Sequence, residues 1–336
     1  MHLLFKLMNA FGVSGYEEEV RDILKKEIKK SLSDVKVDKL GNLIAHKKGK
    51  PQKIMITAHM DEIGLIIKYI DFKGRIYFSS LGGFEPLTLL GQRVHIFTKK
   101  GFVNGFITVS EISNDAYITK TPTIPEMFVD TGLNKEELEK LGVDIGSCLS
   151  LGYRHNFNLG KKEIIAGKAL DDRIGCYILT ELIKKSHKFK NEIFFVFTVQ
   201  EEIGLYGAKT SAYEINPDYA IVAEVTSSDD MKTEPTIEIG KGPCLTIKDA
   251  ESVSNKVLNK WIRKVAKQKN IPLQLDVNDV GTTDALTISI SKGGVPASVI
   301  SVPVRNIHSS MGIAHSNDIE NAILLFEELL KNPIKY

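Results

Sequence analysis

The sequence predicts an α/β fold interrupted by a small β-rich insertion, and three patterns carry that expectation. Segments with apolar residues at helical spacing alternate with short apolar strand-like runs at both ends of the chain. Between about Leu65 and Gly160 that alternation gives way to short β-like runs separated by glycine-containing turns. Four of the runs outside this stretch end in histidine or carboxylate residues. The resulting division is a discontinuous α/β domain, residues 1–64 and 161–336, with residues 65–160 inserted between its halves.

Taken in order, the apolar run Leu3–Met8 is interrupted by Lys6 and lacks a basic start and a small-residue cleavage site. It reads as the first turns of a helix rather than a signal peptide. After the Ser14-Gly15 turn, Val20, Ile23, Leu24 and Ile28 mark a second helix. Alternation from Val35 to His46 and again from Ile54 to Ala58 predicts strands. In the insertion the β-like runs are Ile66–Ile70, Arg75–Ser79, Arg93–Thr98 and Phe102–Val109, with one short helix near Lys135–Lys140. Past Gly160 come helix Asp172–Lys185, strand Glu192–Val199, strand Tyr219–Ala223, helix Lys256–Gln268, strand Ala297–Val302 and a closing helix from about Ile319.

Composition excludes several classes. The 336 residues are 43% apolar, ample for a packed core, and 44 Lys and Arg against 42 Asp and Glu give a net charge of +2. That balance argues against a nucleic-acid or membrane-surface partner, which would call for a basic stripe. No run reaches the ~20 apolar residues of a membrane span. The three cysteines, Cys148, Cys176 and Cys244, are scattered and form no CxxC pair. They read as free core thiols in a reducing compartment, which makes the cytoplasm the expected location.

The chemistry sits at strand ends. Strand Ile54–Ala58 runs into His59-Met60-Asp61-Glu62, strand Glu192–Val199 into Gln200-Glu201-Glu202, and strand Tyr219–Ala223 into Glu224. Strand Ala297–Val302 leads through Pro303 and Arg305 to His308. Ligands of open α/β sheets bind outside the carboxyl ends of the strands, and here four such ends carry metal-ligand residue types. A fifth string, Gly167–Arg173, places Asp171 just ahead of a helix whose first-turn acid would be Asp172. Imidazole and carboxylate donors without thiolate suit zinc, cobalt or manganese. Two histidines and three carboxylates are too many for one open zinc site and suit two ions roughly 3.5–4 Å apart that share a carboxylate.

In sequence order AHMDEIG, GKALDDRIG, QEEIGLYGA, VAEVT and PVRNIH resemble the tetrahedral (glutamyl/deblocking) aminopeptidase family of co-catalytic di-metal peptidases. The similarity extends through FGVSGYEEEVR, LLGQRV, KGP and GTTDA. The resemblance implies a mixed-sheet zinc-peptidase catalytic domain with an inserted small β-barrel-like dimerisation domain, and dimers that assemble into a tetrahedral dodecamer. It implies that His59, Asp171 and Glu224 bind one divalent ion and Asp171, Glu202 and His308 the other, zinc or cobalt. Glu201 would be the general base, and Asp61 would orient His59 through a hydrogen bond. The substrates implied are peptides cleaved at their N-terminal residue, and a cis peptide is implied between Asp171 and Asp172. Two departures stand out. Glu224 replaces the family's usual Asp, and Gly281-Thr282-Thr283-Asp284 replaces a Gly-Gly-Thr-Asp string.

Other readings remain open at this stage. Glu201-Glu202 alone would be a solvated acidic pair, and two carboxylates alone would serve a glycoside hydrolase, although neither explains histidines at strand ends. A non-catalytic peptide-binding scaffold would show assembly without turnover. His315 competes with His308, but it sits just before the closing helix, where Ser316 or Asn317 would cap. His2, His46, His95, His155 and His187 read as surface or satisfied residues, and Asp229-Asp230 as a turn. The β-rich insertion is expected to have strand edges that a second chain covers.

Overall fold

The fold is taken from a computed structural model, which describes residues 1–110, 121–152 and 156–335. His155 lies outside the described residues. Eleven strands form one mixed sheet, at whose centre Asn191–Thr198, Lys50–His59, Tyr219–Ser227 and Ala297–Arg305 lie side by side and parallel. Antiparallel neighbours flank them. Leu43–Lys47 lies on one side, Gly312–His315 on the other, and Cys244–Lys248 branches off Ala297–Arg305 and carries Gln274–Val277 at its outer edge.

The central strands are apolar almost end to end because helices cover both faces. Alternate residues Ile54, Ile56, Ala58, Phe195, Phe197 and Ile221 pack with the N-terminal helices and with Leu170–Lys184, Lys256–Lys269 and Ser316–Lys331. The residues between them, Met55, Val196, Ala220, Val222 and Val299, pack against Tyr206–Ile215 and Asp284–Ser289. Both layers thus cover a sheet whose parallel strands all run the same way, so their carboxyl ends converge on one edge.

Six antiparallel strands between Gly64 and Leu151 close into a barrel in the order Gly64–Ile70, Ile76–Leu81, Met127–Asp130, Gly101–Val109, Arg93–Thr98, Cys148–Leu151. Leu65, Ile67, Ile76, Val94, Ile96, Ile107, Val129 and Leu149 fill it. The fold class agrees with expectation, but the argument from open edges does not hold. Leu65 pairs with Leu149 and Ile66 with Cys148, and this ring closure satisfies the strand edges within the chain.

Local differences have physical causes. The single run Val35–His46 is two strands, because Asp38 Oδ1 accepts the backbone N–H groups of Leu40, Gly41 and Asn42 and turns the chain. Gly41 supplies the φ of +116° that this turn requires. The cap of the last helix is neither Ser316 nor Asn317. His315 fills that place, its Nδ1 accepting from Asn317 N at 3.1 Å. All three cysteines are buried and free. Among the described residues no helix is long and apolar enough to cross a membrane.

Candidate active site

Three of the four parallel strands deliver a part of the site at or just past their carboxyl ends, and Glu224 stands within the fourth, Tyr219–Ser227, which runs on past the Ala223 end expected from sequence. His59 closes its strand and is 2% exposed. Its Nδ1 donates to the Asp61 backbone carbonyl at 3.1 Å, which leaves Nε2 as the free nitrogen. Nε2 then faces Asp171 Oδ1 at 3.0 Å and Glu224 Oε1 at 3.6 Å. Across the cleft His308 Nε2 lies 3.4 Å from Asp171 Oδ2 and 3.6 Å from Glu202 Oε2. Asp171 therefore turns one oxygen to each histidine.

The chain bends sharply to present these groups. Ala169, Gln200 and His308 all have left-handed backbone, at φ 54°, 55° and 56°, each within two residues of a site carboxylate or at the site itself. The helix assigned from Leu170 starts irregularly. Asp171 and Asp172 have non-helical φ/ψ of −79°/110° and −115°/51°, and the peptide joining them is cis.

Asp172 has two faces. As a first-turn acid it accepts Gly175 N–H on Oδ1 at 2.8 Å, but its Oδ2 is buried without a hydrogen-bond partner beside the cluster. His59, Asp172 and Glu224 bring donor atoms within 4.8 Å of one another, as do His59, Asp171 and Glu202. Asp172 thus joins the cluster, which its reading as a helix acid did not anticipate.

Asp61 is wholly buried and does more than face His59, whose Nδ1 is 3.4 Å from its Oδ1. It accepts the backbone N–H groups of Glu201 at 3.0 Å and Glu202 at 3.1 Å, and the Ser14 hydroxyl at 2.6 Å. One carboxylate thereby fixes the loop that carries both glutamates. Glu62, next in sequence, is engaged by other partners. It pairs with Lys168, with Arg173 at 3.5 Å, and buttresses the segment leading to Asp171. Nothing in the spacing of Glu62 and Lys168 signalled this buried pair.

Electrostatically the site holds too much negative charge to stand alone. Burial, then the Asp171 charge, push Glu202 up to about 8 and raise Glu224. Burial, with the charges of Glu224 and Glu202, holds Glu201 well above the usual carboxylate range. Contact with Asp171, helped by Glu202, pushes His308 up to about 9. Buried carboxylates this close need compensating cations. His59 Nε2 and Asp171 Oδ1 approach to 3.0 Å, a spacing bridged by a proton or, in its place, by a cation. The donor set fits divalent metal.

Rival ligands are engaged elsewhere. Asp230 takes a bidentate Arg305 at 2.7 Å, and Asp229 accepts Thr236 and Ile237 N–H groups in a turn. His46 is satisfied by Asp34 and Glu192.

The family described as M42 glutamyl aminopeptidase matches residues 41–325. The chain belongs to that family. The M42 peptidases are metallopeptidases that hydrolyse peptides, and this chain is an enzyme of that kind. Its relatives include a lysyl aminopeptidase of Pyrococcus furiosus, 35% identical over 98% of this chain and 96% of the relative. The crystal structure of a TET aminopeptidase from a marine-sediment Thaumarchaeota archaeon superposes with a TM-score of 0.95 at 38% identity, covering 99% of this chain and 97% of the other. The TET1 peptidase of Pyrococcus horikoshii, which assembles into a tetrahedron or a large octahedral shell, has a TM-score of 0.89 at 31% identity over 98% and 99%.

Proposed function

We propose that this M42 enzyme is an aminopeptidase that removes N-terminal residues from peptides with two co-catalytic divalent ions and Glu201 as general base. The observation that carries the reading is Asp171, whose Oδ1 and Oδ2 face His59 and His308 respectively. His59, Asp171 and Glu224 would hold one ion and Asp171, Glu202 and His308 the other, zinc or cobalt by donor type. A pair of such ions lowers the pKa of a water and polarises the scissile carbonyl.

The chain's own groups do the rest. Glu201 accepts the proton of the attacking water and returns it to the leaving amine. Asp61 keeps the Glu201 backbone in place through its N–H, so the carboxylate starts from a fixed anchor. The acid-rich cleft favours a substrate's free α-ammonium and hence cleavage at the N-terminus.

The inserted segment, residues 65–160, is proposed to drive self-association, which the assemblies of the TET relatives support. The rest of the chain, residues 1–64 and 161–336, forms the catalytic domain in this reading, and the free cysteines support a cytoplasmic location.

Elemental analysis of purified protein tests the centre, with about two ions expected per chain. Chelation should abolish hydrolysis of aminoacyl amides, and zinc or cobalt should restore it. Glu201→Gln should keep both ions and lose about 10²–10⁴-fold in kcat. Full activity at one ion per chain, or a Glu201→Gln variant with most of its kcat, refutes the proposal.

A further inference from the structure

We infer that the cleft beside the metal centre selects a cationic N-terminal side chain, lysine or arginine, through the carboxylate of Asp276. The inference rests on the proposed aminopeptidase reading and names its substrate class.

Strand register assembles the floor of this cleft. Glu224 and Thr226 stand two apart on one strand and so share a face, about 6–7 Å apart. Glu224 pairs with Ser301 on the next strand. That strand pairs Ser301 with Cys244, two residues from Thr246, which in turn pairs with Asp276 on the outermost strand. Paired residues share a face, so a polar surface extends from the metal ligand Glu224 to Asp276. The surface also folds back on itself, because Thr226 Oγ1 donates to Asp276 Oδ2 at 2.8 Å. The carboxylate is thereby held about two strand residues from Glu224, within reach of the four-carbon stem of a lysine.

Asp276 is 6% exposed and lines the cleft, its Oδ2 engaged by Thr226 and its Oδ1 left open to that space. Such a carboxylate is held ready for a partner that the chain does not itself supply. The cleft measures ≈ 760 Å³, and no lysine or arginine lines it among the described residues. Beyond the metal-centre acids it adds Glu85, Asp249 and Asp276, so its field opposes an anionic side chain. Glu85 is exposed and Asp249 is already bonded to the Glu251 and Ser252 N–H groups, which leaves Asp276 as the buried directional contact. The nearest lysine on these strands, Lys248, is turned to Asp279 at 2.9 Å and to backbone carbonyls. A leucine side chain would cover Asp276 without giving its second oxygen a donor, and a glutamate would meet like charge.

The test compares kcat/KM on lysyl, arginyl, leucyl and glutamyl p-nitroanilides with the metal-loaded enzyme. Lysyl and arginyl substrates should exceed leucyl by about tenfold or more, with glutamyl lowest, as expected for a charge-assisted bond to a buried carboxylate. Asp276→Asn should lower the lysyl-to-leucyl ratio by about tenfold, and Thr226→Val, which removes only the anchor, should lower it less. A wild-type preference for leucyl or glutamyl overturns the inference. So does an Asp276→Asn variant that loses the same factor on every substrate, since that would place Asp276 at the α-ammonium. If no amide is cleaved, the aminopeptidase reading fails. The cleft is then read separately by calorimetry on Glu201→Gln protein, where tighter binding of lysinamide than of glutamic acid α-amide supports the inference and equal binding overturns it.

Discussion

Removing Glu224 should separate its part in metal binding from its cost to the empty protein. The residue is one methylene longer than an aspartate, and the extra length is taken up by folding. Oε1 accepts the N–H of its own neighbour Val225 at 3.0 Å while remaining 3.6 Å from His59 Nε2. In metal-free protein this carboxylate is a burden, raised by burial and by the Asp171 charge. Glu224→Ala should therefore leave the chelated protein melting at the wild-type temperature or above it. The metal-loaded protein should behave oppositely. At a free ion concentration 100 times Kd, occupancy of one site stabilises by ~2.7 kcal/mol, and a hundredfold loss of affinity leaves only ~0.4 kcal/mol. For 336 residues at about 2.1 cal/mol/K each, the unfolding entropy is ~0.7 kcal/mol/K, so the ~2.3 kcal/mol difference lowers Tm by ~3 °C. Melting curves with and without chelator, paired with elemental analysis, read both effects. Glu224→Ala protein that still holds two ions and keeps the full metal-dependent rise in Tm would remove Glu224 from the ligand set. A raised KM with that unchanged count would instead place it at the substrate ammonium.

Two further predictions concern neighbours and stability. Asp61→Asn keeps the shape but cannot accept the Glu201 and Glu202 N–H groups and the Ser14 hydroxyl together, so kcat and metal affinity should each fall about 10–100-fold; a competition titration showing unchanged affinity with unchanged kcat would refute the anchoring role. Glu327 on the closing helix is raised by burial, but hydrogen bonds from Lys185, Lys331 and Lys188 outweigh this and hold it at about 2. A depressed carboxylate contributes stability above its unfolded pKa of about 4.5 and loses it as pH falls towards 2. The Tm gap between wild type and Glu327→Gln should narrow across that window, and a gap constant with pH would refute the linkage.

Much of the fold was legible because it rests on local patterning. Val20, Leu24 and Ile28 bury one stripe of Glu18–Ile28, and the predicted helix Lys256–Gln268 differs from Lys256–Lys269 by a single residue. What escaped the sequence depends on partners distant in the chain. Gly312–His315 is a strand because it pairs with Ile164–Gly167, and it is too short and too small in side chain to announce itself. The same holds for Cys148–Leu151, whose pairing with Gly64–Ile70 closes the barrel and removes the edge that local reading expected.

The site divides along the same line. His59, Glu201, Glu202, Glu224 and His308 were readable as neighbours because a parallel strand order puts successive strand ends at one edge, and each of these residues comes after an apolar run that reads as a buried strand. The place of Asp172 in the cluster was not readable. An acid one residue after another at a helix start looks like a cap, and the backbone of both residues is non-helical where Asp171 meets the two histidines and Asp172 joins His59 and Glu224. Asp276 was further still from view. It lies on a four-residue strand with alternating exposure, it has no sequence neighbour among the metal ligands, and its meaning comes from one bond to Thr226 across two strands. Chemistry common to a family sits where the fold itself gathers side chains and so leaves a motif. Selectivity resides in the register of peripheral strands, where a one-residue shift would turn Asp276 to the other face and empty the pocket of its charge.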